Sequence, residues 1–134
     1  MTDWSAAVAP SLDDFAALAE AAFAALPPEF RALAGEALFR VLDFADDDTL
    51  ASLGLEDPFE LTGLYEGVDL TRQSVLDPSP SHPVITLYRR PILDEWAERG
   101  DLTLGELVTH VLVHEIAHHF GLSDDDIHAV EAQD

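Results

Sequence analysis

The sequence predicts a single compact α+β domain spanning residues 1–134. Three observations carry that expectation: capped helical periodicities toward both ends of the chain, short β-rich segments between them, and a length that suits one core. A hydrophobic content of 48% is ample for a packed interior.

Ser11 is placed to cap a first helix with Leu12, Phe15, Leu18, Ala22 and Leu26 along one side, and Asp13 and Asp14 in its first turn. Pro27-Pro28 stops it, and a second helical or mixed stretch starts at Glu29. From Ala37 to Phe44 the alternation of Phe39, Val41 and Asp43 with Leu38, Leu42 and Phe44 reads as a strand. Asp46-Asp47-Asp48-Thr49 opens a short helix or turn ending near Gly54. A short strand is expected within Leu61 to Val68, followed by a proline-containing loop from Asp69 to Pro83. Val84-Ile85-Thr86-Leu87-Tyr88 is the strongest strand signal in the chain.

Pro91 suits the first turn of a helix running through Ala97 and closed by Gly100. Thr103-Leu104-Gly105-Glu106 has the spacing of a capping box, and the helix after it carries Leu104, Leu107, Val108, Val111, Leu112 and Ile116 on a broad apolar face. Gly121 is placed to end that helix, and Ser123 to begin a short acidic one.

Charge and composition exclude several functions. Twenty-seven acids face six bases, all arginine, for a formal net charge of -21. Such a surface repels phosphate backbones and anionic lipid, so neither a nucleic acid nor a membrane is the expected partner. The chain has no cysteine, so a metal site must use His, Asp or Glu. The residues after Met1 lack the basic and apolar regions of a signal peptide, and no apolar run is long enough to span a bilayer, so the cytoplasm is the expected location.

The chemistry concentrates in His114-Glu115-Ile116-Ala117-His118-His119-Phe120-Gly121-Leu122-Ser123-Asp124. His114 and His118 are four residues apart, so on a helix both imidazoles leave one face and can share a metal ion. Glu115 lies about 100° around the helix from His114, within reach of a metal-bound water without being a ligand. A zinc ion lowers the pKa of its water to about 7, and an adjacent carboxylate can take the proton as a carbonyl is attacked.

A third ligand must come from elsewhere. Gly121 permits a turn that brings Asp124 back toward the helix end. The competing reading makes Asp124 an acid at the start of a helix capped by Ser123, and the two readings are compatible. Asp125, Asp126 and His128 are the alternative ligands. His110, one turn before His114, is expected to hydrogen-bond below the site rather than to ligate. His119 points away from His118, and His128 is a candidate to stabilise an oxyanion. Tyr65 and Tyr88 are candidate donors to a transition state, against the plainer role of half-buried sheet aromatics.

These residues give the chain a resemblance to the minimal zincin-like metallopeptidases, carried by His114 to Gly121 with Asp124, by Leu61-Thr62-Gly63-Leu64-Tyr65-Glu66-Gly67, and by Ile85 to Pro91. The resemblance covers the chain from about Leu61 onward. It implies a small twisted mixed sheet packed on an active-site helix, with one Zn²⁺ on His114, His118 and Asp124 and Glu115 as general base. The only methionine is Met1, so the methionine turn that lies beneath the metal in the larger metzincins is missing. The expected activity is hydrolysis of a peptide or protein substrate laid along a sheet edge, with Val84 to Tyr88 one candidate for that edge. The alternative is a regulatory or interaction module that keeps the metal and has little catalysis.

Overall fold

The structure, a computed structural model, describes residues 4–35, 37–66 and 83–119; the side chains of Trp4, His118 and His119 fall outside that description. The expected loop from Asp69 to Pro83, apart from Pro83 itself, the turn at Gly121 and the C-terminal helix from Ser123 lie outside the described residues. Five α-helices and three strands are described: α1 (Leu12–Ala24), α2 (Pro28–Ala34), β1 (Leu38–Leu42), α3 (Asp47–Ser52), β2 (Gly63–Glu66), β3 (Val84–Tyr88), α4 (Arg89–Arg99) and α5 (Leu104–His119).

The helix starts follow from their caps. Ser11 and Asp14 form a reciprocal capping box, with Asp14 N–H donating to Ser11 Oγ at 3.1 Å and Ser11 N–H to Asp14 Oδ2 at 2.8 Å. Asp46 Oδ1 accepts from Thr49 N–H at 2.7 Å to start α3, and the hydrogen bonds from Thr49 hold the Asp46 carboxyl below the usual range. Thr103 and Glu106 form a second capping box at α5. Pro28 occupies the first position of α2, where its missing N–H removes no intrahelical bond, so this helix starts one residue earlier than the sequence suggested. Leu12, expected on the buried side of α1, is 40% exposed, because the first turn overhangs the core that Phe15, Ala19 and Ala22 enter.

The sheet order is β1-β3-β2, with β1 parallel and β2 antiparallel to β3. The strand Val84 to Tyr88 is therefore central, which corrects its reading as a candidate edge. Its last four residues are buried in succession, the mark of a strand covered on both faces. Ile85 and Leu87 face the main core of α1 and α5, whereas Tyr88 joins Ala45 and Leu50 of the α3 region in a second cluster.

Strand β3 passes into α4 without a loop: Tyr88 precedes the first helical residue and offers no side-chain cap. Arg89 instead secures the junction, donating from Nη1 to Asp43 Oδ1 at 3.0 Å and from Nε to the carbonyl of Pro10. Arg90 lies 5.8 Å from the centroid of the Phe44 ring. At the far end, Gly100 takes a left-handed φ of 66°, and Trp96 Nε1 donates to the Leu102 carbonyl at 3.0 Å to close the turn into α5.

Phe15 has no exposed surface and joins α1 to the core shared with α5. Phe15→Ala is expected to cost about 3–5 kcal/mol in urea unfolding. Leu38→Ala, at a β1 position 54% exposed, should cost about 0.5 kcal/mol or less.

Candidate metal centre

Helix α5 turns its apolar face inward through Leu107, Val108, Val111, Leu112 and Ile116, all buried in the main core. The adjoining stripe, His110, Val111, His114 and Glu115, borders a cleft of about 530 Å³. Its other walls are Thr62, just before β2, and Glu95, Glu98 and Arg99 on α4. The helix continues through His119, so positions 114 and 118 lie one turn apart along it. His110 sits one turn before His114, with ring centroids 4.1 Å apart and planes tilted by 50°.

Glu115 is held by the sheet. Tyr88 N–H donates to Thr62 O at 2.9 Å, so with the antiparallel register Thr62, Leu64 and Glu66 direct their backbone groups to β3. Gly63 and Tyr65 therefore turn theirs to the opposite edge, where the Tyr65 N–H donates to the Glu115 carboxylate. No described strand lies beyond β2 on that side. Burial pushes the Glu115 carboxyl up to about 7, with the Tyr65 hydrogen bond opposing it.

Gly63 makes this approach possible. A Cβ there would lie 2.8 Å from Val111 Cγ1 and 3.2 Å from Glu115 Cγ, so only a residue without a side chain lets β2 lie this close to α5. Sequence reasoning missed this role. A glycine in a short strand signals a close approach, but the partner is some fifty residues further along the chain.

The expected residues are distributed as follows. His114 and Glu115 border the cleft, and position 118 follows on the same helix. The His118 side chain, Asp124 and the alternatives Asp125, Asp126 and His128 lie outside the described residues, as does the His119 side chain. Among the described residues no three His, Cys, Asp or Glu side chains come together as a metal site. His110 borders the cleft beside His114. Tyr65 and Tyr88 are 8% and 2% exposed, and burial raises both hydroxyl pKa values, so they are sheet aromatics set deeper than the half-buried position expected. The donor chemistry fits a borderline cation such as zinc: an imidazole at an open cleft, a second histidine one turn on, and a neighbouring carboxyl tied to backbone rather than turned to solvent.

Two measurements test this geometry. Gly63→Ala should destabilise the protein by about 1–3 kcal/mol, because backbone or a packed valine must move. The second uses metal-free protein in chelator. Folding raises the Glu115 pKa from 4.5 to about 7, so the unfolded chain loses this proton first as pH rises. The cost is absent below about pH 4.5, grows toward pH 7 and is constant above it. Glu115→Gln removes the ionisation, so its stability advantage in urea should climb from near zero at pH 4.5 to roughly 2–3 kcal/mol at pH 8. A pH-independent advantage would mean the carboxyl is not desolvated.

No curated protein matches the chain. The sequence model of a family described as zincin-like metallopeptidase matches residues 35–133, a span that runs from just before β1 through the whole of α5 and beyond. With the mixed sheet, the helix beneath it and the cleft beside His114 and Glu115 already in view, the chain belongs to the zincin-like metallopeptidase family.

Proposed function

We propose that the protein is a zinc peptidase in which His114, His118 and Asp124 hold one Zn²⁺ and Glu115 is the general base. A zinc ion held there supplies Lewis acidity that brings water toward ionisation near neutral pH. The observation that carries the reading is the position of Glu115: half-buried in the cleft beside His114 and anchored by the Tyr65 amide.

Each residue has a distinct task. The histidines bind through neutral imidazole nitrogens, and Asp124 adds a carboxylate oxygen from beyond the helix. The Glu115 carboxylate accepts the proton of the attacking water and returns it to the leaving amine. Tyr65 N–H fixes the Glu115 rotamer, so the base is oriented before substrate arrives. The substrate is an extended peptide bound in the cleft between Thr62 and α4 rather than along β3, which is paired on both sides.

The high negative charge supports a peptide rather than a nucleic-acid substrate. Among the described residues no helix is long and apolar enough to cross a membrane. We place the reaction in the cytoplasm.

Glu115→Gln should retain stoichiometric zinc by elemental analysis and lose about 10²–10⁴-fold in hydrolysis of a quenched-fluorescent peptide library. Full hydrolysis with zinc still bound would remove Glu115 from the role of base. Chelation should abolish turnover by the native chain, and added Zn²⁺ should restore it. His114→Ala and Asp124→Ala should each prevent metal loading, whereas an Asp124→Ala protein that binds zinc normally points to another third ligand.

A further inference from the structure

A second groove continues the cleft. It holds about 540 Å³ and runs between α1 and the N-terminal half of α5, with Leu18, Ala21 and Ala22 on one wall and Gly105, Glu106 and Thr109 on the other. Arg99 and His110 border both spaces, which makes them two stretches of one furrow along α5. Glu106, His110 and His114 recur every four residues and mark its course. Eight residues of helix at 1.5 Å each separate Glu106 from His114 by about 12 Å. An extended peptide covers that distance in roughly three to four residues.

Gly105 gives the furrow a purpose of its own. Its φ is not in the left-handed region, and a Cβ built there would meet nothing within 4 Å. Neither backbone conformation nor crowding requires glycine, and glycine is a poorer helix residue than alanine. Its missing side chain leaves the groove open. The groove's walls are mainly apolar, and Glu98 beside the cleft and Glu106 beside the groove disfavour an acidic occupant, since Arg99, the cation bordering both, already faces Glu95 and Asp101.

We propose that this groove is a distal substrate subsite: it takes an apolar side chain of an extended, non-acidic peptide three to four residues from the bond cleaved beside His114. The inference rests on reading that cleft as a zinc centre, and the test separates the two.

Fluorescein-labelled peptidyl hydroxamates are bound to the zinc-loaded full chain and followed by anisotropy. The hydroxamate ligates the metal and fixes the register. The probes are an alanine dipeptide and pentapeptides with Phe or Asp at the fourth residue from the hydroxamate, made in both chain directions. In one direction the Phe pentapeptide should bind about tenfold or more tighter than the dipeptide, and the Asp pentapeptide should not. Ala21→Trp and Gly105→Leu fill the groove from opposite walls. Each should cancel the gain and leave dipeptide affinity unchanged. Should Ala21→Trp fail to fold, Gly105→Leu, with open space around its Cβ, carries the test. A gain that is absent, or that survives the filled groove, overturns the subsite and leaves the zinc centre standing. A dipeptide hydroxamate that does not bind overturns both.

Discussion

Helix α5 has two obligations that pull against each other. One face must seal the core against the sheet, and the adjoining stripe must stay open as the floor of a cleft. Both are met where β2 crosses it. With no side chain at Gly63, the strand settles against Val111 and the Glu115 stem, and the Tyr65 amide reaches the carboxylate. The same contact buries Val111 and holds the Glu115 carboxylate at the cleft. A wider separation would cost packing and would release the carboxylate into solvent.

The surrounding structure distributes its few cations around this arrangement. With a formal net charge of -21, mutual repulsion among carboxylates opposes compaction. Arg89 bridges Asp43 at the end of β1 and the Pro10 carbonyl ahead of α1. Arg99 reaches toward Glu95 and Asp101 at 3.7 and 3.9 Å around the α4–α5 turn. Such exposed pairs contribute little energy individually. Their value is geometric, since they hold the corners between elements that wall the cleft.

Much of this was legible from the chain because it is written in local chemistry. The Ser11 cap, the Thr103–Glu106 capping box, the β3 segment and the Gly100 stop depend on residues a few positions apart, and each stands where expected. The His114-Glu115 pair is equally local, since helical spacing alone sets adjacent side chains about 100° apart, close enough to border one cleft. The order of the strands was not legible. Val84 to Tyr88 could be read as an edge because periodicity describes which faces are buried, not how many neighbours a strand has. Its nearly continuous apolar run was the available sign of a central position. Gly63 and Gly105 carried the least information. One is small because a distant helix arrives there, the other although nothing crowds it, and a glycine looks the same in both circumstances.

The loopless junction between β3 and α4 has an evolutionary side. Because the strand becomes the helix at Arg89, and Trp96 fastens the other end to Leu102, the wall made by Glu95, Glu98 and Arg99 is clamped at both ends. An insertion at the first junction would rotate every α4 side chain relative to the sheet, by about 100° for each added residue. Lineages diverging from this chain therefore have little freedom to retune the cleft by changing lengths on that side. Replacement of single side chains on a fixed wall is the route that remains, so new specificities would arise in small steps on a frame of constant width.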